Sequence, residues 1–178
     1  MKIPFKPIYL PKGPRRYRYI ILHDTNCMCQ EFNDFKNDGI KFQTNLLRER
    51  MRQKNKWFEL PFHFVCEKIL DDYQTVVARP TQYSCEDCYP RMDSLYRRLG
   101  IHICIMGNFN VMVGDPRMYQ QICYRAITPV MKQYRIPKSN ILLHGEVEPT
   151  KLDCPGFNFS KQHLKAYIMP FMIAQHST

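Results

Sequence analysis

Two short apolar runs in this chain each stop at a histidine: "YIILH", ending at His23, and "NILLH", ending at His144. Apolar runs this short read as buried strands rather than helices. Strand ends are where α/β proteins build their sites, so the pair constrains both fold and function. Downstream of His144 comes Cys154, set directly before Pro155-Gly156, which keeps the loop from continuing as strand or helix. Two histidines and a cysteine make three ligands, the number a catalytic zinc takes from protein, with a fourth position left to water. The same residues also read as satisfied core histidines and a small buried thiol. Spacing alone leaves both readings open.

The rest of the chain reads as mixed α/β. A strand is expected over Tyr17–Leu22. Phe42, Leu46, Leu47 and Met51 stand at helical spacing and predict a helix over 41–54. "PFHFVCEK" and "QTVVARP" read as two strands joined by a turn at Asp71-Asp72, and Ile101–Met106 as another strand. Asp115-Pro116 caps a helix whose stripe is Tyr119, Ile122, Cys123, Ala126, Val130 and Tyr134. Pro129 lies inside that stripe and is expected to kink or locally open it. A last helix is expected over 160–169. This order predicts one α/β domain with a mixed central sheet flanked by helices, over 17–178, behind a basic, proline-containing arm, 1–16. A chain of 178 residues suits one such domain.

The formal charge is +10, and Lys2, Lys6, Lys12, Arg15, Arg16 and Arg18 form a basic front end. Such a field favours polyanions: nucleic acid, anionic lipid or an acidic cell-wall polymer. No RNA-recognition, KH or zinc-finger spacing supports the first of these. No apolar run approaches the roughly 20 residues of a membrane helix. Prolines and cations interrupt the N-terminus before any signal-peptide core forms, so the expected site of synthesis is the cytoplasm. Eight cysteines in such a chain point to metal binding or burial before disulfides. Cys27-x-Cys29 and Cys85-x-x-Cys88 could share a second, structural zinc if their loops meet; free thiols, or a disulfide outside a reducing compartment, are the alternatives. His102, in mid-strand, reads as structural.

Ordered blocks over roughly 17–170 resemble the zinc-dependent N-acetylmuramoyl-L-alanine amidases, a fold shared with phage lysozymes of the amidase type and animal peptidoglycan recognition proteins. "YIILHDT" is similar to the family's first strand with its first zinc histidine. "WFELPFHFVCE" is similar to its Trp-x-x-x-Gly-Tyr-His-Phe block, and "LGIHICIMGNFN" to a later strand. "YRIPKSNILLHGEVEPTKLDCPG" resembles the most specific block, which ends in Cys-Pro-Gly. The resemblance implies zinc ligands His23, His144 and Cys154. It implies cleavage of the amide between N-acetylmuramic acid and L-alanine in peptidoglycan, as in an endolysin, by a protein expected to be a monomer. Some members use an aspartate before Pro-Gly as third ligand; here Cys154 holds that position and Asp153 precedes it.

The chain departs from the family at two places. Phe62 stands where the family has a tyrosine that hydrogen-bonds near the zinc, and phenylalanine can neither donate nor accept. His63 is expected to point to the opposite face of the strand. A family lysine or threonine two residues before the third ligand is replaced by Leu152. Lys151 beside it is the candidate oxyanion partner, or else an ordinary loop lysine. Phe62 therefore raises a second reading: a zinc-containing peptidoglycan receptor or sensor with weak or no turnover.

Overall fold

The computed structural model describes residues 17–25, 60–69, 72–85 and 88–168. The expected arm 1–16 and the expected helix 41–54 lie outside these residues. Five strands form one sheet in the order β3-β2-β4-β1-β5. They are β1 (Tyr19–Asp24), β2 (Phe64–Ile69), β3 (Asp72–Val77), β4 (Gly100–Ile105) and β5 (Ile141–Leu143). β1 runs parallel to β4 and β5, and β2 runs parallel to β4. β2 and β3 pair antiparallel, as the turn between them predicts. The mixed α/β reading matches the architecture found.

Parallel central strands are covered on both faces, which is why β1 and β4 read as nearly continuous apolar runs. Alternation divides their side chains between two cores. Ile20, Leu22, Phe64, Cys66, Ile101, Ile103 and Ile105 enter the larger one. Ile21, Val65 and Cys104 enter the smaller one on the other face.

Helix α1 (Ser94–Leu99) starts where the Asp93 carboxylate accepts the Leu95 N–H at 2.7 Å. Helix α2 (Pro116–Ile122) is capped the same way, with Asp115 accepting from Met118 N at 2.7 Å. The helix then opens into a π turn over Cys123–Ile127 and resumes as α3 (Thr128–Tyr134). Pro129 explains the opening: it has no N–H, and its ring collides with the carbonyl four residues back, at Arg125 inside the π turn. Met118, Ile122, Ile127, Val130 and Met131 from this interrupted helix cover the larger core. A one-turn helix, α4 (His144–Val147), follows β5 directly. The last helix, α5 (Lys161–Ala166), is shorter than expected and is capped by Ser160, whose hydroxyl accepts from His163 N at 3.1 Å.

Candidate metal centre

His23 sits near the end of β1 and His144 begins α4, at the adjoining end of β5, so parallel pairing of these strands brings the two rings to 4.4 Å between centroids. Cys154 reaches them through a loop that doubles back. Gly145 N donates to Cys154 O at 3.0 Å, Lys151 N to Glu148 O at 2.9 Å, and Cys154 N to Lys151 O at 2.9 Å. Gly145 permits this fold. A Cβ there would lie 2.7 Å from the carbonyl oxygens of both Lys151 and Leu152. One ligand atom from each of His23, His144 and Cys154 lies within 4.8 Å of the other two, and all three residues are buried. Among the described residues this is the group of histidine, cysteine and carboxylate side chains that can hold a metal ion.

The donor set fits zinc. His23 Nδ1 and His144 Nδ1 are buried without hydrogen-bond partners. Orphaned nitrogens are costly unless something else occupies their lone pairs. The other nitrogen of each ring is engaged: His23 Nε2 with His102 Nδ1, and His144 Nε2 with Glu148 Oε2, each at 2.9 Å. Glu148 is itself held by the Thr150 hydroxyl, which donates to Oε1 at 3.0 Å. Backing of this kind fixes tautomer and orientation in metal-binding histidines. Cys154 is buried while Asp153 is exposed, which selects the cysteine as third member. Its Sγ stands 3.9 Å from Asp24 Oδ1. Cys154 is disulfide-bonded in the structure, so the ligating form is the thiolate that reduction would release.

Burial lowers the proton affinity of all three rings. Desolvation holds the His23 pKa well below its ordinary value, and the neighbouring His144, His102 and His63 add to it. His102 is lowered for the same first reason, with the Tyr96 carbonyl opposing. His144 is lowered by burial against the pull of Glu148. Neutral imidazole is the form that binds metal, so this environment favours it near neutral pH.

Three residues around the site carried no site signal in the sequence reading. Tyr89 stacks on His102 (4.8 Å, 12°) and His23 (5.1 Å, 19°) and meets His144 edge-on at 5.2 Å. Its hydroxyl donates to Pro61 O at 2.8 Å. Glu148 was legible in principle, four residues after His144 on a helical turn. His102, expected to be purely structural, shares a hydrogen bond with His23. The signal that could have found it is the parallel register, which sets Ile21 beside His102 and His23 beside Cys104, placing both histidines on one face.

Phe62 is fully buried with its ring 5.3 Å from that of His23, so its side chain faces the candidate ligands. His63 is not carried to the far face. Phe62 precedes β2 and enters the same core as Val65 although Phe64 enters the other, so Phe62 and His63 do not alternate across the sheet. His63 Nδ1 accepts from His102 N at 3.0 Å. Lys151 lies close enough for its charge to depress the His144 pKa. Cys85 and Cys88 are buried in the smaller core; Cys85 Sγ is 3.7 Å from His63 Nδ1, and Arg79 Nη2 donates to Cys88 Sγ at 3.4 Å. The Cys27 and Cys29 half of the expected second zinc site lies outside the described residues.

No protein-family model and no curated protein matches the chain. Solved structures do. The N-acetylmuramoyl-L-alanine amidase LysC from Clostridium intestinale URNW aligns over 85% of this chain and 84% of its own, with 20% identity and a TM-score of 0.60. AmpD aligns over 92% and 94%, with 12% identity and a TM-score of 0.58. A mutant of the Drosophila peptidoglycan recognition protein PGRP-LB, in complex with tracheal cytotoxin, aligns over 84% and 83%, with 15% identity and a TM-score of 0.51. The chain has the fold of the N-acetylmuramoyl-L-alanine amidases and peptidoglycan recognition proteins. At these identities the likeness is one of fold.

Proposed function

We propose that the protein is a zinc-dependent amidase that hydrolyses the bond between N-acetylmuramic acid and L-alanine in peptidoglycan. The observation that carries this reading is the buried set of His23 Nδ1, His144 Nδ1 and Cys154 Sγ, three ligands and not four among the described residues. Zinc bound there would supply Lewis-acid polarisation of the amide carbonyl and a nucleophile at neutral pH. His23 and His144 would hold the ion, with His144 kept in its ligating tautomer by Glu148. Lys151 would offset negative charge developing on the carbonyl oxygen. The basic front end would steer the protein to acidic wall polymers after release from the cytoplasm. The ligand residues are covered, so substrate entry requires the covering side chains to shift.

A second reading, peptidoglycan binding without turnover, is favoured by Phe62. It faces His23 with no group able to exchange a proton. One experiment separates the two. Protein kept in reductant is incubated with peptidoglycan, with and without a chelator, and new lactyl groups and L-alanine amino termini are counted. Chelator-sensitive release supports the amidase. Binding with no release, unchanged in Phe62→Tyr, supports the receptor.

A further inference from the structure

We propose that His102 is a positioning residue for the metal centre: its Nδ1 accepts a hydrogen bond from His23 Nε2–H and thereby commits His23 Nδ1 to the metal. The proposal rests on the reading of His23, His144 and Cys154 as zinc ligands. It follows from accounting for protons along one buried chain of rings. A ring nitrogen binds metal through its lone pair, so a ligating His23 Nδ1 carries no hydrogen. The proton of the neutral ring then sits on Nε2, 2.9 Å from His102 Nδ1. His102 Nδ1 must be the acceptor, which moves His102's own proton to its Nε2. That nitrogen has no partner in full hydrogen-bond geometry, and the Tyr96 carbonyl flanks it.

The surroundings hold the His102 ring where this role needs it. Its backbone N–H donates to His63 Nδ1 at 3.0 Å and its carbonyl accepts from His63 N at 2.8 Å. Tyr89 stacks flat on the ring at 4.8 Å. The two metal histidines are thus backed differently, His144 by a carboxylate and His23 by a neutral ring. The difference has an electrostatic sense. Glu148, a Cys154 thiolate and the buried Asp24, whose Oδ1 lies 3.9 Å from Cys154 Sγ, already surround the site with acidic groups enough to match a divalent ion, and another carboxylate would add buried negative charge without compensation. A neutral acceptor fixes the tautomer without adding charge.

The test compares His102→Leu, which keeps apolar bulk and removes the acceptor, with His102→Asn, whose side-chain oxygen stands about where Nδ1 stood. Zinc affinity is read by competition with a chromophoric chelator on reduced, full-length protein, and folding is read by thermal unfolding. His102→Leu is expected to weaken zinc binding roughly 10- to 100-fold, and His102→Asn to restore it to within about threefold of the native protein. Leucine and asparagine variants with equal affinities would overturn the proposal, whether both are native-like or both are weak. If the leucine variant does not fold, long-range proton–nitrogen correlation on native zinc-loaded protein decides. A His102 proton on Nε2, with Nδ1 bare towards His23, supports the proposal, and a His102 proton on Nδ1 overturns it. Native protein that takes up no zinc removes the underlying metal reading, and this proposal with it.

Discussion

The two faces of the sheet are built to different ends. On one, Ile20, Leu22, Phe64, Ile101, Ile103 and Ile105 meet Met118, Ile122, Ile127 and Val130 in a continuous apolar core. Its thiols are spectators: burial pushes Cys66 and Cys123 up to about 12, and Cys123 donates to Leu164 O at 3.1 Å. On the other face the same strands present His23, His102 and Cys104, closed over by Phe62, Tyr89, Cys85 and Cys88. That face is just as buried but is organised by hydrogen bonds between rings, with nitrogens left bare. The contrast teaches that burial by itself does not mark a core. What marks the candidate site among the described residues is a cluster of buried ring nitrogens without hydrogen-bond partners.

The sharpest way to break the comparison is to delete volume on the apolar face. Ile103→Ala should cost about 2–5 kcal/mol of unfolding free energy in urea titration. In the folded protein it should leave zinc affinity within about threefold. The reverse pattern is expected opposite. Glu148→Ala should lower zinc affinity roughly 10- to 100-fold, measured by chelator competition. Gly145→Ala tests whether the doubled-back loop is required. The added methyl meets two backbone carbonyls, so it should cost about 1–3 kcal/mol and weaken zinc binding together.

Acid offers a further test, because the histidine face buries rings that resist protonation. His23, His102 and His144 have lowered pKa values. Above about pH 6.5 these rings are neutral whether folded or unfolded, and their contribution to stability is fully present. Below it the unfolded chain takes up protons that the folded protein refuses. Stability of the metal-free protein should then fall by about 1.4 kcal/mol per pH unit for each histidine, until the folded pKa is reached. Thermal unfolding between pH 7 and pH 5 measures it; a flat profile would mean the rings are not buried as described.

Much of this was legible in the chain. The apolar runs gave β1, β4 and β5, the Asp115-Pro116 pair gave the start of α2, and Pro129 foretold the open turn before it. His23, His144 and Cys154 stood out because each is a polar residue at the edge of an apolar or turn segment. His102 and Tyr89 did not, and for a physical reason. Their roles depend on which strands pair and in what register, a long-range outcome that no local pattern states. Strand periodicity misplaces His63 relative to Phe62 because the chain does not alternate at Phe62, before β2 begins. The disulfide at Cys154 was not foreseen either, since residue spacing does not report the oxidation state of a thiol.

The order β4-β1-β5 has one more consequence. It sets the first ligand near one end of the described chain and the other two near the opposite end, on the order of 120 residues apart. An ion gripping all three would therefore act as a cross-link that closes a very long loop. For a covalent bridge, closing a loop of that size removes unfolded-state entropy worth about 4–5 kcal/mol. Zinc in this centre would act as a clasp on the whole domain, and its removal should be felt first as a lower melting temperature, before any substrate is met.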